Sequence, residues 1–214
     1  MKAIIDIDQA VSMVKDGMTV LFGGFISSGI PARILEALAV SRVRELTIVC
    51  NDAATPDYGV GKLIANGQVK KVITSYIGMN PVAKQLYSEN GMEVEFVPQG
   101  TLVERMRAAG AGLGGFLTPT GLGTEIAEGK EVIEVDGKQF LLEKPLPGDI
   151  AIISASKADK AGNLLYRGTS QNFNPVMATA AKTVIAEVRE LVEIGDLEPH
   201  SIHTPGIFVD YIYN

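Results

Sequence analysis

Short apolar runs alternate with amphipathic segments along most of the chain. The runs are rich in Val, Ile and Leu, and each is long enough for a strand but too short for a helix. They predict buried strands at residues 18–22, 45–50, 70–76, 92–97, 149–154 and 183–188, with a shorter one at 164–167. Strands that alternate with helices predict an α/β fold with a mostly parallel sheet and helices on both faces.

The segments between these strands carry helix start signals, either a capping Asp or Asn or a proline at the first turn. They predict helices from residue 6 or 8 to about 15, at 32–38, at 62–65, from 81 to about 87, from 101 onward, and from 174 through 181. The strand at 45–50 is followed by Asn51 and Asp52, at the sheet edge where parallel sheets bind their ligands.

Two stretches depart from the alternation. Residues 110–123 contain six glycines, a density that predicts a long loop rather than a helix or a strand interior. Residues 131–142 alternate in polarity around Asp136 and Gly137, and they predict a small β-hairpin that projects from the sheet. The segment that starts at Gly206 is so apolar that we expect other parts of the fold to cover it from solvent.

Composition narrows the class of protein. A formal net charge of -6 in 214 residues speaks against nucleic acid or an anionic membrane as a partner. The single cysteine, Cys50, excludes an internal disulfide and favours a reducing compartment. Because the chain has no membrane-spanning apolar run and its N-terminus lacks a signal-peptide core, we expect a cytoplasmic protein. The length fits a single domain over residues 1–214.

The most informative stretch is DGMTVLFGGFISSGIP, residues 16–31. A strand ends in Gly23 and Gly24, a short loop follows, and Pro31 can occupy the first turn of the next helix. Exposed backbone N–H groups and the positive end of a helix dipole favour an anion or a developing oxyanion at such a loop. The glycine spacing fits neither a nucleotide P-loop nor a dinucleotide fingerprint.

This stretch resembles the N-terminal signature of family I coenzyme A transferases, which consists of Asp-Gly, an apolar strand, Gly-Gly-Phe, three residues, Gly, any residue and Pro. Further segments resemble the α subunit of that family: NDAATPDYGVGKLI, SYIGMNP, VPQGTLVERMRAAGAGLGGFLTPTGLGT and RGTSQNFNPVMATAAKTVIAE. The likeness covers nearly the whole chain and is greatest for the acetate or butyrate:acetoacetate branch. It implies a Rossmann-like α/β fold, shared with some sugar-phosphate isomerases.

The resemblance also implies a mechanism and partners. In that family, coenzyme A passes between short-chain carboxylic acids by ping-pong transfer through a thioester on a glutamate of the β subunit, and the usual assembly is α2β2. Coenzyme A is then a substrate, and no permanently bound cofactor or metal is expected. The resemblance assigns coenzyme A contact to a loop that we call the glycine loop: Gly24, Phe25, Ile26, Ser27, Ser28, Gly29 and Ile30.

The resemblance makes Gln99 the oxyanion-stabilising residue of this chain. A side-chain amide can donate to an oxyanion without titrating, which suits that role. The alternative is that Gln99 only caps the helix that begins at Thr101. For the glycine loop, the alternative is a structural turn between a strand and a helix. Asn51 and Asp52 could orient a substrate carboxylate or hold that loop.

Residues 88–91, Ser-Glu-Asn-Gly, repeat the tetrapeptide that carries the catalytic glutamate in the family's β subunit. Here the tetrapeptide follows a predicted helix instead of an apolar strand, and Asn-Gly is ordinary C-cap chemistry. We therefore interpret Glu89 as part of a structural turn. Three lysines, Lys62, Lys70 and Lys71, could meet nucleotide phosphates, although exposed lysines are usually only solvated.

Two other functions remain open from the sequence. A sugar-phosphate isomerase on the same fold would use an Asp or Glu base and would be active as a single chain. A non-catalytic scaffold subunit would use its glycine loops only to complete a partner's pocket. Mutations at Gln99 and in the glycine loop distinguish a scaffold from an enzyme subunit, because only the latter predicts kinetic effects.

Overall fold

The computed structural model describes all of residues 1–214. The strands are β1 Ala3–Ile4, β2 Thr19–Phe22, β3 Leu46–Val49, β4 Val69–Thr74, β5 Glu93–Phe96, β6 Phe116–Thr118, β7 Val132–Val135, β8 Lys138–Glu143, β9 Gly148–Ala155, β10 Lys157–Asp159, β11 Leu164–Leu165, β12 Ala181–Val188, β13 Leu191–Val192 and β14 Tyr211–Tyr213. The helices are α1 Ile7–Met13, α2 Ala32–Ala39, α3 Val60–Ala65, α4 Pro81–Ser88, α5 Gln99–Gly110 and α6 Asn174–Thr179. None of these helices is long and apolar enough to cross a membrane.

Eight strands form one sheet in the order β1-β14-β12-β9-β2-β3-β4-β5. Every neighbouring pair in it is parallel, which confirms the predicted α/β class. The chain winds outward from β2 to β5 on one side and from β9 to β14 on the other. The winding therefore reverses between β2 and β9, and the carboxyl ends of these two strands border the crevice where such sheets bind ligands.

The two faces of the sheet bury separate apolar clusters. Val20 and Phe22 of β2 point into one cluster, which α1 to α4 cover, while Leu21 points into the other. Leu102 of α5 and Met177 of α6 belong to that second cluster. Because successive side chains of a strand point to opposite faces, apolar residues at consecutive positions require cover on both sides. The predicted helices on both faces are confirmed.

The glycine-rich stretch 110–123 is not a loop throughout, so that prediction was wrong in part. α5 continues to Gly110, and β6 lies inside the stretch and pairs antiparallel with β8. The glycines flank the strand rather than occupy it. Close packing requires glycine at position 115, because a Cβ there would approach the Glu143 carbonyl oxygen to 2.6 Å. β7 and β8 form the predicted hairpin, with Asp136 and Gly137 at positive φ.

The two chain ends meet in the central sheet, and the sequence predicted neither of them as strands. β14 lies between β12 and β1, where the Ile212 side chain is fully buried. β1 and β14 are too short to produce a periodic pattern, so only their neighbours in the fold define them. The predicted strand at 164–167 corresponds to β11, which belongs to a small separate sheet with β10 and β13.

Candidate functional site

The glycine loop leaves the end of β2 as a tight turn. The backbone N–H groups of Phe25 and Ser28 each donate to the other residue's carbonyl oxygen at 3.0 Å. Between them, Ile26 has a φ of 54°, a left-handed conformation that is strained for a β-branched residue. The Ile26 N–H donates to Asp52 Oδ2 at 2.8 Å, and this bond helps to hold the strained turn. The turn exposes Phe25, Ile26 and Ser27, whereas Gly24 and Gly29 are buried.

Asn174 ties the base of the glycine loop to the neighbouring strand. It is fully buried, and its Oδ1 accepts from the Ser154 N–H at 2.9 Å. Its Nδ2 donates to the carbonyl oxygens of Gly29 and Ser170 at 3.0 and 2.9 Å. The amide packs so closely on Gly23 that a Cβ there would lie 1.8 Å from Asn174 Oδ1. Only glycine fits at position 23 beside this amide. Asn174 also connects the end of β9 to the loop that follows β2.

Replacement of Gly23 by Ala tests this contact. We expect Gly23→Ala to lower the free energy of unfolding by about 2 kcal/mol, because either the Asn174 amide or the loop must move. For a chain of this length, the melting temperature should fall by about 4–8 °C. Calorimetry measures the shift. Gly114→Ala is the matched control, since a Cβ at Gly114 meets nothing within 4 Å. Equal melting temperatures for the two variants would show that the contact does not constrain the loop.

A relay of side-chain hydrogen bonds through Asn51 and Asp52 connects Gln99 to the glycine loop. Gln99 Nε2 donates to Asn51 Oδ1 at 2.6 Å, and Asn51 Nδ2 donates to Asp52 Oδ2 at 2.7 Å. The same Asp52 oxygen accepts the Ile26 N–H of the loop. Asp52 Oδ1 accepts from the Ala54 N–H at 3.0 Å. The structure thus brings together the two predicted parts of the site, and it places Asn51 and Asp52 between them.

The relay fixes which end of the Gln99 amide faces outward. Asp52, a carboxylate, can only accept, so Asn51 must turn its NH₂ toward Asp52 and its oxygen toward Gln99. One N–H of the Gln99 amide then donates to Asn51, and the second N–H of that amide makes no bond within the chain. The exposed Gln99 side chain therefore presents one unpaired donor to a ligand. This arrangement suits the stabilisation of an oxyanion.

Gln99 does not act as a helix cap, contrary to the alternative considered from the sequence. α5 begins at Gln99 rather than at Thr101, and Pro98 occupies the N-cap position without a side-chain cap bond. Gln99 is the first residue of α5, so its side chain is attached at the helix end whose first N–H groups lack intrahelical partners. The positive end of the helix dipole there also favours a nearby negative charge.

The residues of this relay contain no free nucleophile. Asp52 is 6% exposed, and its two oxygens accept three hydrogen bonds. Burial, followed by the nearby Asp52 carboxylate, raises the pKa of the Cys50 thiol, so that the thiol stays protonated and unreactive. No group of three or more His, Cys, Asp or Glu side chains is placed to hold a metal ion. The site therefore offers hydrogen-bond donors and no attacking group.

Glu89 lies at the opposite edge of the sheet. The N–H of Gly91 donates to the Leu86 carbonyl at 2.8 Å and that of Asn90 to the Tyr87 carbonyl at 3.3 Å, with Asn90 at a φ of 55°. This is a Schellman turn that ends α4. It precedes β5, whereas Gln99 follows β5, so the length of this four-residue strand, roughly 13 Å, lies between the turn and Gln99. Glu89 itself accepts only from Gln85 Nε2, at 3.0 Å.

Two of the three lysines considered as phosphate ligands are engaged in close ion pairs, and the third, Lys70, is exposed. Lys62 pairs with Glu36 at 2.6 Å, and Lys71 pairs with Glu93 and Glu95 at 2.7 and 2.9 Å. Lys70 and Lys71 lie in the first half of β4, away from the carboxyl edge of the sheet. These contacts favour the solvated, ion-paired interpretation.

Asn174 is the residue of the site that the sequence did not predict as such. The Asn-Pro pair predicted the start of a helix, and α6 does begin there, although with Phe173 at the N-cap position. Its side chain bonds to Gly29, 145 positions away. No local pattern signals a contact at that separation.

Comparison with known proteins agrees with the geometry. The model of a family described as Coenzyme A transferase matches residues 4–214. The acetoacetyl-CoA:acetate/butyrate CoA transferase alpha subunit of Clostridium acetobutylicum is 51% identical over 209 residues, which cover 98% of this chain and 96% of that protein. The acetate CoA-transferase subunit alpha of Escherichia coli is 49% identical over 209 residues, with coverages of 98% and 95%.

A solved structure shows the same fold. The acyl-CoA transferase of Escherichia coli O157:H7, solved as a thioester complex with CoA, aligns with a TM-score of 0.85 at 24% identity. The alignment covers 99% of this chain and 47% of that one, so this chain spans about half the length of that protein. The expectation drawn from the glycine-loop signature is confirmed by the family match over nearly all residues, and the chain belongs to the coenzyme A transferase family.

Proposed function

We propose that this chain is the α subunit of a short-chain acyl-CoA:carboxylate coenzyme A transferase of the acetate or butyrate:acetoacetate type. The single observation that carries the proposal is the 51% identity to the alpha subunit of the Clostridium acetobutylicum enzyme, across 98% of this chain and 96% of that one. Neither a sugar-phosphate isomerase nor a scaffold protein finds support in the family match or among these relatives.

The reaction has two symmetrical halves. A glutamate carboxylate of the β subunit attacks the acyl-CoA carbonyl, the C–S bond breaks, and an acyl-glutamyl anhydride and the coenzyme A thiolate form. The thiolate then attacks the glutamyl carbonyl, the first acid leaves, and a glutamyl thioester remains. The second acid reverses both steps. Each addition places negative charge on a carbonyl oxygen, and this charge is what the free N–H of Gln99 would stabilise.

The glycine loop would position coenzyme A beside Gln99. The Asp52 bond to Ile26 and the Asn51 bond to Gln99 couple the loop to the oxyanion donor, so both would meet the substrate as one unit. We further propose a β-subunit partner in an α2β2 assembly. Residues 1–214 would fold as one domain, because β1 and β14, at the two chain ends, share the central sheet. A cytoplasmic location stays a prediction.

The proposal is tested by co-expression with a β chain in which an apolar strand runs into Ser-Glu-Asn-Gly. The purified complex should convert acetoacetyl-CoA and acetate, or butyrate, into acetoacetate and the new acyl-CoA. Mass spectrometry after incubation with acetoacetyl-CoA should find the thioester on the β chain. Transfer only to succinate would contradict the proposed branch, and an absence of any transfer would contradict the function.

The role of Glu89 gives a separate prediction. Glu89→Gln in the assembled enzyme should leave kcat within about twofold, because the side chain is exposed and far from Gln99. The turn should persist, since its hydrogen bonds come from the backbone. Steady-state kinetics and a melting curve measure both effects. Lost turnover with an unchanged melting temperature would instead make Glu89 a catalytic residue.

A further inference from the structure

A polar cavity of about 530 Å³ opens at the carboxyl edge of the sheet, where the winding reverses between β2 and β9. Its volume lies in the range of small-molecule sites, and its position is the one that parallel sheets use for ligands. Five residues of its lining carry the argument below. Ser27 follows β2, Ser154 and Ser156 lie at the end of β9, Arg167 precedes α6, and Arg189 follows β12.

Two arginines that line this cavity have guanidinium groups without a partner in the chain. The side chains of Arg167 and Arg189 make no hydrogen bond or ion pair within the chain, whereas Arg33 and Arg105 each bind a carboxylate. The one acidic residue in the lining, Glu190, is neutralised by Lys157 Nζ at 2.6 Å. The cavity therefore carries a net positive charge, although the whole chain carries a formal charge of -6.

Ser154 supplies an independent sign of a ligand. The residue is only 7% exposed, and its N–H is bonded to Asn174, but its hydroxyl has no partner within the chain. No fully enclosed side-chain N or O atom of the chain lacks a hydrogen bond, so this hydroxyl must open onto the cavity that Ser154 lines. A buried hydroxyl that faces a positively charged cavity can donate to an anionic ligand.

We propose that this cavity binds a phosphate group of coenzyme A, an inference that rests on the proposed function. Phosphate oxygens accept paired hydrogen bonds from guanidinium groups and single bonds from hydroxyls, which are the groups present. An acyl chain would find only one apolar residue in the lining, Ala155. The glycine loop forms one wall through Ser27, so the predicted coenzyme A contact and the cavity are continuous.

The spacing from Gln99 suits a long ligand. Gln99 bonds to Asn51 beyond the end of β3, and β9 and β12 lie two and three strands away in the sheet. At about 4.8 Å per strand, the cavity begins roughly 10–14 Å from the oxyanion donor. The pantetheine arm holds the phosphates of coenzyme A well away from its thiol. One substrate molecule can then reach both places.

The test uses the assembled enzyme and compares acetoacetyl-CoA with acetoacetyl-pantetheine, which has no phosphate. Arg167→Gln and Arg189→Gln should each raise KM for acetoacetyl-CoA about tenfold, and together about a hundredfold. The loss should be confined to the phosphate-bearing substrate and should shrink at high salt. A third substrate, acetoacetyl-dephospho-CoA, lacks only the 3′-phosphate. If the arginine variants still raise its KM, the cavity binds the pyrophosphate; if they no longer do, the cavity binds the 3′-phosphate.

Arg42→Gln is the matched control, because Arg42 is also exposed and unpaired but lies before β3, at the amino edge of the sheet. Equal losses with both substrates, or an equal effect of Arg42→Gln, would overturn the inference. So would a weakened α–β complex in size-exclusion chromatography, since the cavity would then bind acidic residues of the partner. Calorimetric titration with coenzyme A and with pantetheine repeats the comparison without turnover, and it separates failure of this site from failure of the proposed function.

Discussion

Purified without a partner subunit, this chain should transfer no measurable coenzyme A. The transfer requires a carboxylate that can attack a thioester carbonyl. The carboxylate that the relay links to the oxyanion donor is that of Asp52, and it accepts three hydrogen bonds at 2.7–3.0 Å while buried. An attack by Asp52 would break the bonds that hold Ile26 and Asn51 in place. The cost of leaving the buried Asn51 amide and the Ile26 N–H without this acceptor opposes such a reaction.

The measurement is the loss of acetoacetyl-CoA in the presence of acetate, for the chain alone and after addition of the β chain. The lone chain should be indistinguishable from buffer, and the mixture should be active. A folded lone chain, checked by its melting curve, excludes misfolding as the cause of inactivity. Transfer by the lone chain that disappears in Asp52→Asn would refute the account, because the nucleophile would then belong to this subunit.

Local patterns were enough to predict the carboxyl edge of the sheet. Gln99 and Asn51 each follow a strand with a clear apolar pattern, and Gly23 and Gly24 follow a third such strand. The bond between Gln99 and Asn51 joins residues 48 positions apart. No local sequence pattern predicts the order of strands that brings these two residues together. The predicted edge was therefore correct, and Asp52 does hold the glycine loop, one of the two roles that the sequence left open for it. The bonds that connect Asp52 to Gln99 appeared only in the structure.

Long-range contacts explain the rest of what the sequence missed. β2 and β9 pair in the sheet, and both bury apolar residues on two faces. Every central strand of the chain has this property, so the pattern does not show which strands are neighbours. The Asn174 contact with Gly29, the pairing of β14 with β1, and the meeting of Arg167 and Arg189 in one cavity all depend on that arrangement. Periodicity predicts the existence and type of an element but not its neighbours.

Gln99→Ala is expected to lower kcat of the assembled enzyme by about 10²- to 10³-fold, or about 2.7–4 kcal/mol of transition-state stabilisation. The free N–H of Gln99 belongs to the one exposed side chain of the relay, so its removal deprives the developing oxyanion of that bond. KM for acyl-CoA should change little, because the bond forms mainly in the transition state. Steady-state kinetics in both directions measure the two constants.

Gln85→Ala is the matched control. Gln85 is also an exposed glutamine on a helix with a single side-chain bond, to Glu89, at the far edge of the sheet. It should leave kcat within about twofold. Gln99→Glu keeps the size of the side chain but places negative charge beside Asn51 Oδ1 and the developing oxyanion. Its loss should be at least as large as that of Gln99→Ala, because repulsion is added to the missing donor. Turnover that Gln99→Ala leaves unchanged would remove the oxyanion role and favour a scaffold subunit.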